Sequence, residues 1–311
     1  MPSGQDIAYA AGLLRSGSLV AFPTETVYGL GANALDAAAV AQIYQIKGRP
    51  ATSPLIVHVA SIEMARTLVT RWPEAAERLA RRFWPGPLTL VLEKDPVIPS
   101  NVTAGLNTVG LRMPDHPIAL ALIRAAGMPL AAPSANRFTQ LSPTTAAHVR
   151  EGLGDDVALI LDGGPCPVGI ESTVVSLAAT PPLLLRPGGI SRAQLEEVIG
   201  RIAIAAPVAE GPHPSPGMHK RHYSPRTRLV LVEQGQLPER GKGVYLQINH
   251  PPSRTDIQTI RMPAIAADYA AALYSQLHQA DAGAYDWIAV DLPPDTAAWE
   301  AVRDRLRRAA P

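Results

Sequence analysis

The sequence is poor in cysteine and in net charge. Its 311 residues include one cysteine, Cys166, so an intrachain disulfide and a cysteine-rich zinc site are both excluded. Lysine and arginine number 28 against 27 aspartate and glutamate residues, which leaves a formal net charge of +1. A broad nucleic-acid-binding surface needs a clear excess of positive charge, so any basic chemistry must come from cations placed locally.

Long apolar runs and several catalytic signatures are also absent. No stretch reaches the roughly 18 uncharged apolar residues of a membrane-spanning helix, and the first residues lack the basic and apolar regions of a signal peptide. We therefore expect a cytoplasmic protein. The patterns G-x-x-x-x-G-K-[ST], H-E-x-x-H and G-x-S-x-G do not occur, which argues against P-loop, zincin and α/β-hydrolase enzymes.

Proline, in contrast, is abundant, and its distribution divides the chain. Of 31 prolines, five fall within residues 207–225. Because proline fixes φ and has no N–H group, this stretch can form neither a long helix nor a central strand. We predict a first domain over residues 1–206, a linker over residues 207–225 and a second domain over residues 226–311.

Apolar periodicity predicts an α/β (α+β) fold for both domains. In the first domain we expect strands at residues 19–22, 55–59, 88–92, 109–112, 130–132, 157–161, 173–177 and 183–185, the last two as an antiparallel hairpin. Helices are expected at residues 6–15, 36–46, 74–83 and 118–126. The second domain is predicted as a small layered unit, with strands at 229–232, 244–248 and 287–290 and helices at 264–280 and 297–308.

Residues 23–31, PTETVYGLG, carry the densest set of polar groups. Thr24, Thr26 and Tyr28 alternate, so an extended turn would direct their hydroxyls to one side, where they could hold a small polar substrate. The structural alternative is a threonine-rich strand end with a glycine turn. A third interpretation is a dinucleotide-binding G-x-G-x-x-G/A loop over residues 29–34, but residues 23–26 separate it from the strand that it should follow.

Lys47 and Arg49 follow a predicted helix, with Ser53 four residues further on. They could bind phosphate, because arginine offers a planar fork and lysine a compact charge. They could equally complement the negative end of the helix dipole from a solvated face. His58 lies in an apolar strand on the same face as Ile56, where a histidine is commonly a core residue.

Two arginines, one Ser/Asn turn and one serine before a proline are further candidates. Arg112 and Arg186 each end an apolar strand, so each needs an anionic partner, which for Arg112 could be Asp115 or a ligand. Ser134 and Asn136 follow a strand and could bind an anion or simply close a turn. Ser142, before Pro143, is predicted to cap a helix N-terminus.

These motifs in this order resemble the YrdC-like threonylcarbamoyl-AMP synthases of the longer, two-domain type. The resemblance rests on residues 23–31, 47–49, 133–136 and 171–174, and on the linker residues 215–225. It implies a YrdC-like domain with a twisted mixed sheet and helices, followed by a smaller Rossmann-like α/β domain. It also implies that L-threonine, bicarbonate and ATP are converted to threonylcarbamoyl-adenylate and pyrophosphate, for the modification of tRNA to threonylcarbamoyladenosine.

The resemblance further implies roles for individual residues. Lys47 and Arg49 would be catalytic, and L-threonine would be bound by Thr26, His58, Arg112, Ala132 and Ser172. ATP would be bound by Arg49, Ser53, Thr108, Ser134, Asn136, Ser142 and Arg186, with His222 or Tyr223 of the linker closing over it. Mg²⁺ would bind together with ATP and bridge phosphate oxygens, with mostly non-protein ligands.

The implied partners are small molecules and one further enzyme. The product would pass to a separate tRNA threonylcarbamoyl transferase, with no direct tRNA binding and no membrane required. Two other functions stay open, an RNA-binding module and a carbamoyl transferase. The first disagrees with the near-neutral charge, and the second with the absence of acylphosphatase-like and zinc-finger companion domains.

Overall fold

The structure is a computed structural model that describes residues 2–205 and 222–310. Of the predicted linker, only residues 222–225 are described, so the predictions on residues 207–221 lie outside the described part. The α/β class predicted from periodicity is confirmed, with a large mixed sheet in the first region and a small parallel sheet in the second.

The first region is built on a ten-stranded sheet. Its strands are β1 (Val20–Phe22), β2 (Gly29–Asn33), β3 (Ile56–His58), β4 (Leu88–Glu93), β5 (Thr108–Arg112), β6 (Leu130–Ala131), β7 (Leu159–Ile160), β8 (Thr173–Ser176), β9 (Leu183–Arg186) and β10 (Ala203–Ile204). Their order is β10-β9-β8-β4-β5-β3-β6-β2-β1-β7. Antiparallel pairing of β8 with β9 confirms the predicted hairpin.

Helices cover this sheet. They are α1 (Gly4–Arg15), α2 (Ala37–Lys47), α3 (Ile62–Arg66), α4 (Glu74–Phe83), α5 (Pro117–Ala126), α6 (Ala146–Leu153) and α7 (Arg192–Ile199). Local signals explain the bounds of α2, because the Asp36 side chain accepts the N–H groups of Ala38 and Ala39 and the helix ends at Gly48.

The second region has a four-stranded parallel sheet. Its strands β11 (Arg228–Val232), β12 (Gly243–Gln247), β13 (Gln258–Arg261) and β14 (Trp287–Asp291) lie in the order β11-β14-β12-β13. Helices α8 (Ala266–Asp281) and α9 (Glu300–Ala309) pack on it. The predicted helix at 297–308 is in part wrong, because residues Ala297–Trp299 form a 3₁₀ turn and the α-helix begins at Glu300.

Two further sequence predictions are corrected, and several short elements were missed. Residues 29–33, expected as a glycine turn or loop, form strand β2, antiparallel to β1. Ser142 does not cap a helix, since α6 begins at Ala146 and is capped by Thr145. The helices α3, α6 and α7 and the strands β10 and β13 were not predicted, because each is short and carries weak periodicity.

The two regions share apolar packing. One buried cluster combines Val27, Leu141 and Ile170 of the first region with Tyr269 and Leu273 of helix α8. The second region is therefore docked against the loops that follow the strands of the first. Among the described residues, no helix is long and apolar enough to cross a bilayer.

Candidate active site

Separate turns of the first region converge on one pocket. It lies where strand ends and loops meet the start of the second region. Its lining consists of Thr24, Thr26, Val27, Gly29, Arg49, Ile56, His58, Arg112, Ala132, Pro133, Ser134, Glu171, Ser172, Arg186, His222 and Tyr223. Three guanidinium groups and several hydroxyls thus face one cavity, which is what an anionic, polar ligand requires.

The opening motif contributes two of the hydroxyls. Thr24 Oγ1 lies 2.9 Å from Thr26 Oγ1 and donates to the carbonyl of Val27 at 2.7 Å, so both threonines are held against the pocket. Tyr28 does not join them: its hydroxyl donates to the carbonyl of Gly164 at 2.8 Å, away from the pocket lining. The prediction that all three hydroxyls face one side is therefore wrong for Tyr28, because residue 28 already leads into strand β2.

The dinucleotide-binding interpretation of the glycines is also wrong. That motif needs a loop between a strand and the N-terminus of a helix, where the pyrophosphate binds. Here Gly29 and Gly31 pair with Phe22 and Val20 inside the sheet, and helix α2 begins only at Ala37.

Lys47 and Arg49 are buried at the C-terminal end of α2 rather than solvated. Lys47 Nζ donates to the carbonyls of Ser134 and Asn136, which fixes the turn at residues 133–136 against this helix. Arg49 lines the pocket, and its Nε and Nη2 groups donate to the carbonyls of Ser53 (3.1 Å) and Pro54 (2.9 Å). Burial lowers the pKa of Lys47, and it lowers that of Arg49 to about 10.

Arg112 has a carboxylate partner, and it is Glu25 rather than Asp115. Arg112 Nη2 lies 2.8 Å from Glu25 Oε1, and the two side chains are 5% and 6% exposed. The pair is close but poorly aligned, since neither Glu25 oxygen has a hydrogen-bond partner among the described residues, nor do Arg112 Nε and Nη2. A buried pair with unused donors can accept a further anion.

His58 lies beside Arg112 as a neutral imidazole. Burial, and then the Arg112 charge, lower the pKa of His58 to about 3. The ring packs edge-on against Phe22 with centroids 6.1 Å apart. It therefore combines a core position with an edge on the pocket, and can exchange a hydrogen bond with a ligand without carrying charge.

Arg186 reaches the pocket from strand β9. Its Nε donates to the Ser172 carbonyl at 3.1 Å and its Nη2 to Ser172 Oγ at 3.2 Å, while Ser172 Oγ lies 2.8 Å from Thr89 Oγ1. The following turn approaches closely: a Cβ on Gly188 would lie 2.3 Å from Thr173 N, so only glycine fits there.

Among the described residues, Glu171 is the one carboxylate that lines the pocket, and both of its oxygens are engaged. Its Oε1 accepts from Ser142 Oγ at 2.5 Å, and its Oε2 lies 2.7 Å from Arg305 Nε. Burial raises the pKa of Glu171, but the charges of Arg305 and Arg186 outweigh that effect and lower it overall. Glu25 and Glu171 stand inside the motifs quoted above without having been assigned a role. No motif or pattern in the sequence singled out Arg305.

The pocket brings together ten of the residues singled out in the sequence, namely Thr26, Arg49, His58, Arg112, Ala132, Ser134, Ser172, Arg186, His222 and Tyr223. Lys47, Ser53, Asn136 and Ser142 lie behind this lining and contact it through the bonds already described, except Asn136, whose Nδ2 closes its own turn on Arg137 and Gln140. Thr108 is placed apart, because it begins β5 and Arg112 ends it, about 13 Å away at the usual rise per residue.

Comparisons with known proteins find relatives over nearly the whole chain. Residues 12–188 match the Sua5/YciO/YrdC family model, described as "Telomere recombination", and residues 190–311 match one described as "Threonylcarbamoyl-AMP synthase, C-terminal domain". A Bacillus subtilis protein named threonylcarbamoyl-AMP synthase is 46% identical over 98% of this chain and 92% of its own length. A Schizosaccharomyces pombe protein of the same name is 38% identical, over 97% and 87%.

A solved structure agrees over the same extent. The crystal structure of P. abyssi Sua5 complexed with L-threonine has a TM-score of 0.91 and 41% identity to this chain, covering 100% of it and 95% of the solved chain. The two family models together account for both regions described above. This chain therefore belongs to the Sua5/YciO/YrdC family, in its two-domain form.

Proposed function

We propose that this chain is a nucleotidyltransferase that makes threonylcarbamoyl-AMP from L-threonine, bicarbonate and ATP, with release of pyrophosphate. The observation that carries the proposal is the convergence of Arg49, Arg112 and Arg186 on one hydroxyl-lined pocket. The names of the relatives and the L-threonine in the P. abyssi Sua5 crystal support the same reaction.

The threonine end of the pocket is formed by Thr26, His58, Arg112, Ala132 and Ser172. Arg112 receives the carboxylate, because a guanidinium can bind it through two parallel hydrogen bonds and this one has unused donors. The Thr26 hydroxyl and the neutral His58 imidazole are suited to the hydroxyl and amino groups of the substrate.

The nucleotide end is formed by Arg49, Ser134 and Arg186, with Lys47, Ser53, Asn136 and Ser142 behind them and His222 and Tyr223 at the linker end. We assign Lys47 and Arg49 to charge stabilisation at the α-phosphate. Lys47 lies behind the lining, where its Nζ donates to the carbonyls of Ser134 and Asn136, so it acts through its charge and by fixing that turn. Thr108 stays a predicted nucleotide ligand, at the greater distance described above.

The reaction needs no protein nucleophile. Bicarbonate carboxylates the threonine nitrogen to a carbamate with loss of water. An oxygen of that carbamate then bonds to the α-phosphorus, while the bond from that phosphorus to the leaving pyrophosphate breaks. Positioning and electrostatic stabilisation of the developing charge carry such phosphoryl transfers. The buried cations and the neutral His58 are consistent with that requirement.

Mg²⁺ is part of the proposal as a companion of ATP. Within residues 2–205 and 222–310, Glu171 is the one carboxylate in the pocket lining, and its oxygens are already bound to Ser142 and Arg305. This donor set fits a magnesium ion held by phosphate oxygens and water, with the ion neutralising phosphate charge. We expect chelation of Mg²⁺ to stop pyrophosphate release and to leave threonine binding intact, which calorimetry without nucleotide can verify.

We further propose that the product passes to a separate transferase that modifies tRNA in the cytoplasm. A mixed anhydride of this kind hydrolyses readily, so closure of the pocket by the linker end, where His222 and Tyr223 lie, would protect it.

The test is pyrophosphate release from ATP and bicarbonate, with each amino acid supplied in turn. Threonine should give the highest rate, and mass spectrometry should find threonylcarbamoyl-AMP. Release that does not depend on an amino acid, or release that needs carbamoyl phosphate instead of bicarbonate, would reject the proposal. Salt-sensitive tRNA binding without any adenylate would favour the RNA-binding alternative.

A further inference from the structure

Arg305 stands on helix α9 of the second region, yet its side chain reaches the back of the pocket. It is 1% exposed as a residue, and its Nε lies 2.7 Å from Glu171 Oε2. Its Nη2 donates to two carbonyls of the first region, those of Glu171 (3.3 Å) and Pro187 (3.0 Å). One guanidinium therefore fastens the Glu171 segment to the turn that follows Arg186.

The contact with Glu171 continues to the nucleotide end. The Glu171 carboxylate accepts the Ser142 hydroxyl at 2.5 Å and lies 3.2 Å from the Tyr274 hydroxyl. Without Arg305, this buried carboxylate would keep only neutral donors, and a buried charge that loses its partner is costly. The position of Ser142 thus depends on Arg305 through Glu171.

A third contact joins Arg305 to the linker end. Its guanidinium carbon lies 5.2 Å from the centre of the Tyr223 ring, at cation–π distance. Tyr223 is 1% exposed and lines the pocket, and Tyr274 lies on it with ring centres 6.0 Å apart. Tyr223 is therefore held against the pocket by side chains of the second region.

The docking of the second region is close enough to transmit this restraint. A Cβ on Gly169, two residues before Glu171, would lie 2.5 Å from the Ala270 carbonyl of helix α8. Ile170 is buried in the apolar cluster shared with Tyr269 and Leu273. The backbone at Gly169 thus packs directly against helix α8, which leaves little room for the two segments to move independently.

We propose that Arg305 is a positioning residue for the ATP half of the site. It holds together the segments that carry Ser142, Arg186 and Tyr223, all assigned to the nucleotide. Its hydrogen bonds and ion pairs do not reach Thr26, His58 or Arg112 at the threonine end. Of that end Arg305 adjoins only Ser172, the residue after Glu171, whose hydroxyl is also held by Thr89 at 2.8 Å. This inference rests on the proposed function, and it makes the second region part of the catalytic unit.

The test compares Arg305→Ala with Arg303→Ala. Arg303 is a matched control, because it lies on the same helix and is 8% exposed, but bonds to the Pro293 carbonyl and to Asp295 within the second region. Arg305→Ala should lower kcat/KM for ATP by about tenfold or more, with the threonine Kd measured without ATP changing less than about twofold. Arg303→Ala should change neither constant by that much.

Three results would overturn the inference: equal loss of kcat/KM for ATP in both variants, no loss in Arg305→Ala, or parallel loss of threonine affinity. If Arg305→Ala does not fold, Arg305→Lys takes its place, because lysine keeps a cation near Glu171 but lacks the planar fork that also reaches Pro187. The same split between ATP and threonine is then expected. Wild-type protein without threonine-dependent pyrophosphate release would refute the proposed function itself, whatever the variants do.

Discussion

The buried pair of Glu25 and Arg112 gives the sharpest prediction, because each residue has a different task. If Arg112 is the ligand of the threonine carboxylate, removing it weakens threonine binding strongly, whereas removing Glu25 does not. For stability the two residues should be equivalent, since either single change leaves one buried charge without its partner. Arg112→Met, Glu25→Gln and the double variant separate these effects.

The magnitudes follow from burial. Both side chains are about nineteen-twentieths buried, at 5% and 6% exposure, so solvent screens the pair little. Breaking such a pair from one side costs ~3–5 kcal/mol in the free energy of unfolding. The double variant removes both charges, so its loss should be smaller than the sum of the single losses by about 2–3 kcal/mol. Loss of the charge-assisted contact should weaken threonine binding by ~10–150-fold in Arg112→Met.

Urea unfolding of the four proteins gives the coupling energy, and calorimetry without nucleotide gives the threonine Kd. Glu25→Gln should bind threonine at least as tightly as the wild type, because the guanidinium no longer faces a competing carboxylate. Additive stability losses would show that the pair is not coupled. Equal loss of threonine affinity in both single variants would remove the distinction between ligand and counter-ion.

The remaining predictions concern one cation, one turn and one histidine pair. Arg49→Ala should lower the rate of pyrophosphate release by ~10–150-fold at unchanged threonine Kd; unchanged turnover would remove it from the mechanism. Gly188→Ala should cost ~1–3 kcal/mol or more in urea unfolding, because its Cβ would meet Thr173 N at 2.3 Å; wild-type stability would contradict that contact. His148 stacks on His278 at 3.9 Å, and burial and then His278 lower its pKa to about 4. The unfolded chain therefore binds the extra proton first, so stability should fall as the pH is lowered from about 6.5 towards 4. In thermal melts, His148→Phe should lose less stability than the wild type as the pH is lowered. Equal losses in the two proteins would contradict the assignment of this pH dependence to His148.

Local signals explain which elements were predicted correctly. Helix α2 begins after Asp36 and ends at Gly48 because both caps act on backbone groups within a few residues. The same kind of signal failed at Ser142, whose hydroxyl binds Glu171, 29 residues away, and leaves the cap of α6 to Thr145. A residue type that suits a cap is equally suited to a distant carboxylate, and the sequence does not rank the two.

Strand β2 shows the same limit for backbone. Its glycines predict a turn because they allow unusual φ values, but in the fold they pair with β1 inside a ten-stranded sheet. Hydrogen bonds from neighbouring strands outweigh the weak strand preference of glycine, and those neighbours include residues some hundred positions away, as in the pairing of β2 with β6.

From the order of residues alone came the strand and helix pattern, the positions of the polar turns and the choice of Arg49, Arg112 and Arg186 as anion-binding groups. All of these depend on interactions between near neighbours in the chain, or on the chemistry of single side chains. Which charges face one another was decided by the folded structure: Glu25 meets Arg112, and Glu171 meets Arg305, 134 residues away. Such pairs form because burial makes an unmatched charge costly, and burial exists only once distant segments have packed together.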